Sequence, residues 1–354
     1  MPKGLMDLEL QHRLARQAID IAVSKAIEDM KCNSKRSIRN LIDLGLLFSI
    51  SSEQTDFFIA AQKMLAMPQN PYYPLISGLL SEVDNDTIKK VGLNLGYSSL
   101  IYGAGKLKKR QNDLGVPIPW LLVFDSEPGS LPIRQLERCV REGMDLGIYS
   151  YIVCPYGTGD IAAVCDAARQ FDECLFILKT PSGLIDGAAA ESVGEIHNAI
   201  VSVQAADVGF KRAEDLNAFR LLKTNRCLYG FHVHYNDENA WRVATPEYIR
   251  AAIELGNRFG AYIAEEGVSD ACGEAVFSFV RRERSGCGQS LVAMELVRDV
   301  KFLSAKILSG SEYSPFFLAG KAFEEYKKAK DSLANALIEL LQSAQYRVFA
   351  QALS

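Results

Sequence analysis

Six short apolar segments recur along the middle of the chain, and their regular spacing restricts the possible folds more than any other feature. They occupy residues 118–124, 148–154, 174–179, 199–204, 228–235 and 259–264. The segments are rich in β-branched and aromatic residues, and roughly 25–32 residues separate the start of one from the next. That distance suits a strand, a helix and their connections, so we predict successive βα units. A run of such units requires a parallel sheet with right-handed crossovers.

Amphipathic helices are predicted between these strands and on both sides of them. The segment 131–147 repeats apolar residues at helical spacing, and 245–260 opens with Thr245 as N-cap and Pro246 at the first helical position. Residues 1–115 are predicted to form an N-terminal helical region, 116–290 a barrel domain and 291–354 C-terminal helices.

A run of βα units can form either an open doubly wound sheet or a closed or partial barrel. An open doubly wound sheet usually carries a glycine-rich phosphate loop directly after its first strand. The stretch GAGK (103–106) precedes the first strand and lacks the upstream glycine and trailing Ser or Thr of that motif, so we interpret it as a helix-ending glycine cluster. We therefore predict an α/β fold, a partial (β/α)6 TIM-type barrel with N-terminal and C-terminal helical extensions, with function at the carboxyl ends of its strands.

Composition narrows the class of protein. Lys and Arg number 39 against 43 Asp and Glu, for a formal net charge of −4, so no nucleic-acid partner is expected. No apolar run is long enough for a membrane span, and the N-terminus lacks the layout of a secretion signal. The eight cysteines contain no CxxC pair. We expect a cytoplasmic protein with reduced thiols.

Polar residues at the predicted strand ends are the candidates for a functional site. They are Asp125, Glu127, Cys154, Tyr156, Lys179, Gln204, Asp207, His232, His234, Glu265 and Glu266. His232 and His234 face the same side of a strand and could bind a metal with Glu265 or Asp125. The chain has only four histidines, so we favour a polar network and expect no metal.

Two further chemistries are open at these positions. Lys179 ends an apolar strand and could form an imine, although a salt-bridged lysine is the commoner case. Asp125 and Glu127 could act as an acid–base pair, or could shape the turn and cap the following helix.

Four stretches, taken in order, resemble a known family. They are GLNLGYSSLIYGAGKLKKRQNDLGVPIPWLLVFD (92–125), REGMDLGIYSYIV (141–153), DECLFILKTPSGLID (172–186) and AIVSVQ (199–204). They resemble the radical S-adenosylmethionine (radical SAM) superfamily, in particular the SPASM-like proteins in which an IPW entry leads into the first barrel strand. The resemblance covers roughly residues 90–265. It implies a partial barrel with a [4Fe–4S] cluster, held by a CxxxCxxC loop after strand one, and bound SAM.

The residues that the family uses for these cofactors are missing here. The cluster loop is DSEPGS, so that Asp125, Ser126 and Glu127 stand where the family has cysteines, and oxygen donors cannot replace three thiolates. The family's Gly-Gly-Glu-Pro turn is replaced by a turn containing Cys154, Tyr156 and Gly157, and the acid that resembles a ribose contact is Gln204. We therefore expect neither SAM nor [4Fe–4S] to be bound.

Three functional hypotheses follow. The favoured one is a non-catalytic binding or partner protein, a pseudoenzyme that binds an intact radical SAM enzyme, a peptide or a small molecule. The second is a repurposed barrel enzyme whose candidate residues are Asp125, Glu127, Lys179, His232, His234 and Glu265. Such an enzyme could work with a divalent metal or without one. The third is an atypical iron–sulfur protein ligated by Cys154, Cys272 and Cys287. The apolar pattern near the C-terminus predicts self-association through the C-terminal helices.

Overall fold

A parallel sheet forms the centre of the molecule. The computed structural model describes residues 3–47, 49, 52–67, 69–115, 117–125, 132–308 and 316–319. The strands in this part are β1 (Leu121–Asp125), β2 (Ser150–Val153), β3 (Leu175–Thr180), β4 (Ala199–Gln204), β5 (Tyr229–Tyr235), β6 (Phe259–Ala264), β7 (Val292–Glu295) and β8 (Phe316–Ala319). Their order is β7-β6-β5-β4-β3-β2-β1-β8, and each neighbouring pair is parallel. The sheet curls into a partial barrel with helices around it, which confirms the predicted fold class.

Helices precede the sheet and alternate with its strands. Those before β1 are α1 (Lys3–Leu47), α2 (Ser52–Leu65), α3 (Tyr72–Glu82), α4 (Asn85–Leu93), a π-helix (Asn94–Gly103) and α5 (Ala104–Leu114). Those after it are α6 (Ile133–Leu146), α7 (Thr158–Gln170), a 3₁₀ turn (Ser182–Leu184), α8 (Gly187–Gly194), α9 (Ala213–Thr224), α10 (Ala240–Val243), α11 (Pro246–Glu254), α12 (Asp270–Arg282), a second π-turn (Glu283–Cys287) and α13 (Leu296–Ile307). Within the described ranges, no helix has a stretch both apolar and long enough to cross a bilayer.

The six predicted strands have limits close to those of the sequence pattern, but the described sheet has two further strands, β7 and β8, in the region predicted to be C-terminal helices. β4 and β6 have the predicted limits, and Thr245 caps α11 by accepting a hydrogen bond from the Tyr248 amide at 3.2 Å. The prediction of helix directly from residue 291 is wrong, because Val292–Glu295 pair with β6 as strand β7. The Glu295 carboxylate then accepts from the Arg298 amide at 2.7 Å, so helix α13 starts only after the strand. The predicted helix over 321–354 lies outside the described residues.

The two faces of the sheet have different environments. The outward side chains, such as Phe124, Phe176 and Phe231, are fully buried under the surrounding helices. The inward side chains alternate with them and include partly exposed residues such as Ile177 and Ile200. The inner face is therefore the side of the sheet where polar groups can meet a ligand.

The N-terminal helices pack against the amino ends of the strands. Asn94, at the start of the π-helix, donates its amide to the carbonyl of Cys174 at 2.8 Å, directly before β3. Ser99 hydrogen-bonds Ser150 at the start of β2, with 2.7 Å between the hydroxyl oxygens. These bonds leave the carboxyl ends of the strands, at the other end of the barrel, uncovered by α1 to α5.

Helix α1 is joined to this end of the barrel by a buried polar cluster. Arg16 donates to Asn94 at 2.7 Å and to Ser98 at 2.5 Å. His12 stacks on the ring of Tyr102, and its Nε2 lies 3.0 Å from the carboxylate of Glu173. Burial of such groups is tolerated because each has a partner.

A large apolar cavity, here called the helical cavity, lies among α1 to α4 and the π-helix. Its volume is about 430 Å³. Its wall is almost wholly apolar, and it is partly open to solvent.

The interpretation of GAGK as a helix end is wrong, because the backbone stays helical through it. The π-helix passes into α5 between Gly103 and Ala104 without a break. A Cβ placed on Gly103 would lie 2.5 Å from the carbonyl oxygen of Gly147 and 2.7 Å from that of Ser98. Glycine is needed here for close packing between backbones.

We predict that Gly103→Ala lowers the free energy of unfolding by about 1–3 kcal/mol, because a methyl group must displace two carbonyls. Gly92→Ala is the matched control, since a Cβ at that helical position meets no atom within 4 Å. The control should be neutral or stabilising by up to about 1 kcal/mol. Urea unfolding of both variants measures the difference, and equal stabilities would contradict the packing account.

Candidate functional site

Polar side chains gather on the inner face near the carboxyl ends of the strands. This group, here called the mouth cluster, consists of Asp125, Cys154, Lys179, Ser202, His232 and His234. Lys179 is paired with Ser202 in the register of β3 and β4, and Gln204 is paired with His232 in that of β4 and β5. Because paired residues in a parallel sheet project to the same face, five adjacent strands, β1 to β5, present these groups to one space.

Asp125 and Tyr156 form a direct hydrogen bond at one side of the cluster. The Tyr156 hydroxyl donates to the Asp125 carboxylate. Burial and this bond raise the pKa of Tyr156, which keeps the phenol protonated. The pKa of the neighbouring Cys154 thiol is raised to about 12, chiefly by burial and then by the Asp125 charge, against the opposing effect of Lys179. Cys154 is therefore a neutral thiol and not a thiolate at neutral pH.

His232 is buried and has a defined tautomer. Its Nδ1 lies 3.1 Å from the carbonyl oxygen of Ser202 and 3.1 Å from the hydroxyl of the same residue. Because a carbonyl can only accept, Nδ1 carries the proton and Nε2 keeps its lone pair. Burial, then the charge of Lys179, lower the pKa of His232 well below its usual value, so the ring stays neutral.

His234 lies on the same face, half-buried. Its ring centroid is 5.7 Å from that of His232, with the two planes nearly perpendicular. Burial and the charge of Lys179 lower the pKa of His234, while the carboxylate of Glu265 acts in the opposite direction. Glu265 accepts a hydrogen bond from the Asn236 side chain at 2.8 Å, which fixes this carboxylate at the end of β6.

Lys179 is the cation of the mouth cluster, and it is partly buried. Among the residues that the structure describes, its ammonium group forms no hydrogen bond and no ion pair. Its charge nevertheless affects the pKa values of Cys154, His232 and His234. A cation without a carboxylate partner, beside two neutral imidazoles, favours ligands that are anionic or rich in hydrogen-bond acceptors.

The other predicted positions have different surroundings. Gln204 is exposed at the end of β4, and Asp207 pairs with Arg242 at 2.5 Å. Gly157 precedes α7, where its amide donates to the Asp160 carboxylate at 2.9 Å. Ser126 and Glu127 lie outside the described residues, so the proposed pairing of Asp125 with Glu127 stays a prediction.

Two residues that matter here were not singled out from the sequence. Ser202 orients His232, and Asp160 accepts from the amides of both Tyr156 and Gly157, at 2.9 Å in each case. The alternation of β4 places Ser202 on the same face as Gln204, which was an available signal. Asp160 occupies the third helical position of α7, where a carboxylate commonly caps the helix start.

Side chains spaced closely enough to hold a metal ion occur away from the barrel mouth. Among described residues, the set of three donors within 4.8 Å of one another is Asp84, Asp86 and His197, away from the mouth cluster. Asp84 already accepts from two amides as the N-cap of α4, and Asp86 lies 3.6 Å from Lys89. Neither Glu265 nor Asp125 joins His232 and His234 in such a set.

The donor set does not fit a [4Fe–4S] cluster with bound SAM. Three thiolates are required, and residues 126–131 contain no cysteine. Of the described cysteines, Cys154 lies near Asp125 and Lys179 with a protonated thiol, and Cys272 is half-buried near the start of α12. The others, Cys139, Cys165, Cys174 and Cys227, are buried in the hydrophobic core. No chemical step is therefore assigned to this cofactor.

Comparisons with known proteins gave similarity in structure only. No protein-family profile matches the sequence, and no curated protein matches it. Three crystal structures of Streptococcus suis SuiB align with 69% of this chain. The structure bound to S-adenosylmethionine has 12% identity and a TM-score of 0.47 over 68% of SuiB. The structure of SuiB alone has 12% identity and 0.45 over 70%, and that bound to precursor peptide SuiA has 11% and 0.46 over 69%.

We predict that Lys179→Met raises the pKa of both His232 and His234, because the positive charge that opposes their protonation is removed. The histidine side-chain signals can be followed by NMR through a pH titration. Lys211→Met, at an exposed lysine, is the control and should leave both titrations unchanged. Unaltered curves in Lys179→Met would show that Lys179 does not act on the histidines.

We also predict that the protein loses stability as the pH falls below 6.5. The unfolded chain then takes up protons at these two histidines, whereas the folded chain, with depressed pKa values, does not. Replacing His232 by Gln should reduce the pH dependence between pH 6.5 and about pH 5 by up to ~1.4 kcal/mol per pH unit. His197→Gln is the control in the same denaturant titrations. An unchanged slope in His232→Gln would contradict a buried neutral His232.

Proposed function

We propose that this chain is a non-catalytic binding protein on a radical-SAM-like barrel, in which the mouth cluster binds a ligand in place of a cluster and SAM. The observation that carries the proposal is the composition of the mouth. It has one protonated thiol, a tyrosine-bonded carboxylate and two neutral imidazoles, where radical chemistry needs three thiolates.

The carboxyl end of the inner face supports a binding role because it is polar and partly open. A barrel kept for stability alone gains most by filling its interior with apolar side chains. Here Lys179 is a donor, and Nε2 of His232, which has no partner among the described residues, is an acceptor on the same face. The ammonium group suits a carboxylate, and the donor and acceptor together suit a peptide group. This agrees with a peptide, a small molecule or an intact radical SAM enzyme as the partner.

The first experiment is anaerobic reconstitution with iron and sulfide, followed by metal analysis and a visible spectrum. We expect a colourless protein that retains less than one iron per chain and gives no heat on titration with SAM. Cys154→Ser is the matched variant and should give the same iron content. About four irons per chain with a broad thiolate-to-iron absorption would refute the proposal, and loss of that iron in Cys154→Ser would identify Cys154 as a ligand.

The ligand preference can be tested with simple probes. N-acetylglycine supplies one carboxylate and one peptide group, and its neutral amide is the matched control. We expect the carboxylate to shift the NMR signals of His232 and His234, and the Lys179→Met variant to lose that response. A stronger response to the neutral amide would argue against a cationic binding site.

A second candidate function, a repurposed barrel enzyme, is favoured by one observation. Lys179 has no ion-pair partner among the described residues, which leaves its amine accessible to a carbonyl compound. Condensation of this amine with a carbonyl compound would release water, and cyanoborohydride would reduce the imine to a stable secondary amine. Selective labelling of Lys179 by pyruvate and cyanoborohydride would favour this candidate over the binding protein.

A further inference from the structure

The helical cavity has an almost purely apolar lining. Aliphatic side chains from α1 to α4 and the π-helix form most of its wall. Tyr72 and Tyr97 are the hydroxyl-bearing members of the described lining, and both hydroxyls are used outside the cavity. The Tyr72 hydroxyl donates to the carbonyl of Arg284 at 3.3 Å, and that of Tyr97 lies 3.4 Å from Nδ1 of His12. The cavity therefore offers its occupant no hydrogen-bond partner along its wall.

A polar pocket adjoins one end of this cavity. It is lined by Arg39, Asp43, Gln62 and Ala66 together with Ile42 and Leu65, and the last two residues also line the helical cavity. The two spaces therefore lie next to each other and share the side chains of Ile42 and Leu65 as part of their walls. One elongated molecule can occupy both only by passing beside these two side chains.

Arg39 supplies a cationic group in the polar pocket. Its Nε donates to the Tyr73 hydroxyl at 3.3 Å, and its two Nη groups have no partner among the described residues. Asp43, the acidic residue in this pocket, is occupied by the Gln62 amide at 2.5 Å. Lys35 adds positive charge nearby, with its ammonium 5.2 Å from the centre of the Tyr73 ring.

We propose that the N-terminal helical region binds one long-chain fatty acid, with the hydrocarbon tail in the helical cavity and the carboxylate on Arg39. This site is independent of the proposed function at the barrel mouth. A guanidinium fork matches a carboxylate geometrically, and an apolar cavity excludes water but accepts hydrocarbon.

The size of the cavity sets the length of the tail. An apolar cavity of ~150 Å³ admits benzene, so by the same ratio about 430 Å³ has room for roughly 12–18 carbon atoms. Palmitate falls within that range. A smaller apolar ligand would leave most of the wall without contacts.

Two glycines provide variants that fill the cavity without breaking the fold. Gly92 and Gly96 line the cavity, and a Cβ at either position meets no atom within 4 Å. Gly96→Leu should therefore place its side chain in the space that the tail would occupy, and Gly92→Leu should do the same one helical turn earlier. Gly187→Leu, at an exposed helical glycine with equally open surroundings, is the matched control.

The test is titration of the delipidated full-length protein with palmitate, followed by calorimetry and native mass spectrometry. We expect one palmitate per chain, at least tenfold weaker binding in Gly96→Leu or Gly92→Leu, and unchanged binding in Gly187→Leu. Circular dichroism and thermal unfolding check that each variant is folded. If Gly96→Leu does not fold, Gly92→Leu carries the same comparison.

The contact between the carboxylate and Arg39 is tested separately. Arg39→Gln should weaken palmitate binding by about tenfold and should leave binding of methyl palmitate unchanged. No binding of palmitate, equal binding by native protein and both leucine variants, or binding only to phosphatidylcholine vesicles would each overturn the proposal. A dimer that palmitate does not dissociate, with no bound lipid, would assign the cavity to a second copy of the chain and would also overturn it.

Discussion

The one-sided covering of the sheet is the constraint on which the rest of this structure depends. Helices bury the outward side chains of the strands completely, so Phe124, Phe176 and Phe231 leave no room for a polar group on that face. The period of two along each strand then directs every alternate residue to the inner face. Parallel strands are usually apolar on both faces. Here the inner face is polar at the carboxyl ends of the strands, and these polar side chains are the mouth cluster.

Much of this arrangement could be predicted from the sequence, because strands and capped helices are specified by local patterns. The limits of β4 and β6, the N-cap Thr245 and the shared face of His232 and His234 are all of this kind. Strands β7 and β8 were not predicted, since a strand of four residues is too short to show a period of its own. The role of Ser202 depends on a contact with β5, which no local pattern encodes.

The attachment of the N-terminal helices also depends on contacts that local sequence patterns do not encode. His12 and Glu173 are 161 residues apart in the chain, yet they meet at the base of the barrel. Helix α1 also continues through residues 31–34, where no glycine or proline interrupts it. Long-range pairing, rather than propensity, determines which end of the barrel these helices cover.

The helical cavity and the mouth cluster are on opposite ends of the same strands, and this has a thermodynamic consequence. A strand of seven residues such as β5 spans roughly 23 Å at ~3.3 Å per residue. Ligands that far apart touch no common residue, so their binding free energies add unless the sheet itself changes shape. If both proposals hold, a fatty acid in the helical cavity does not have to leave before a ligand binds at the mouth cluster.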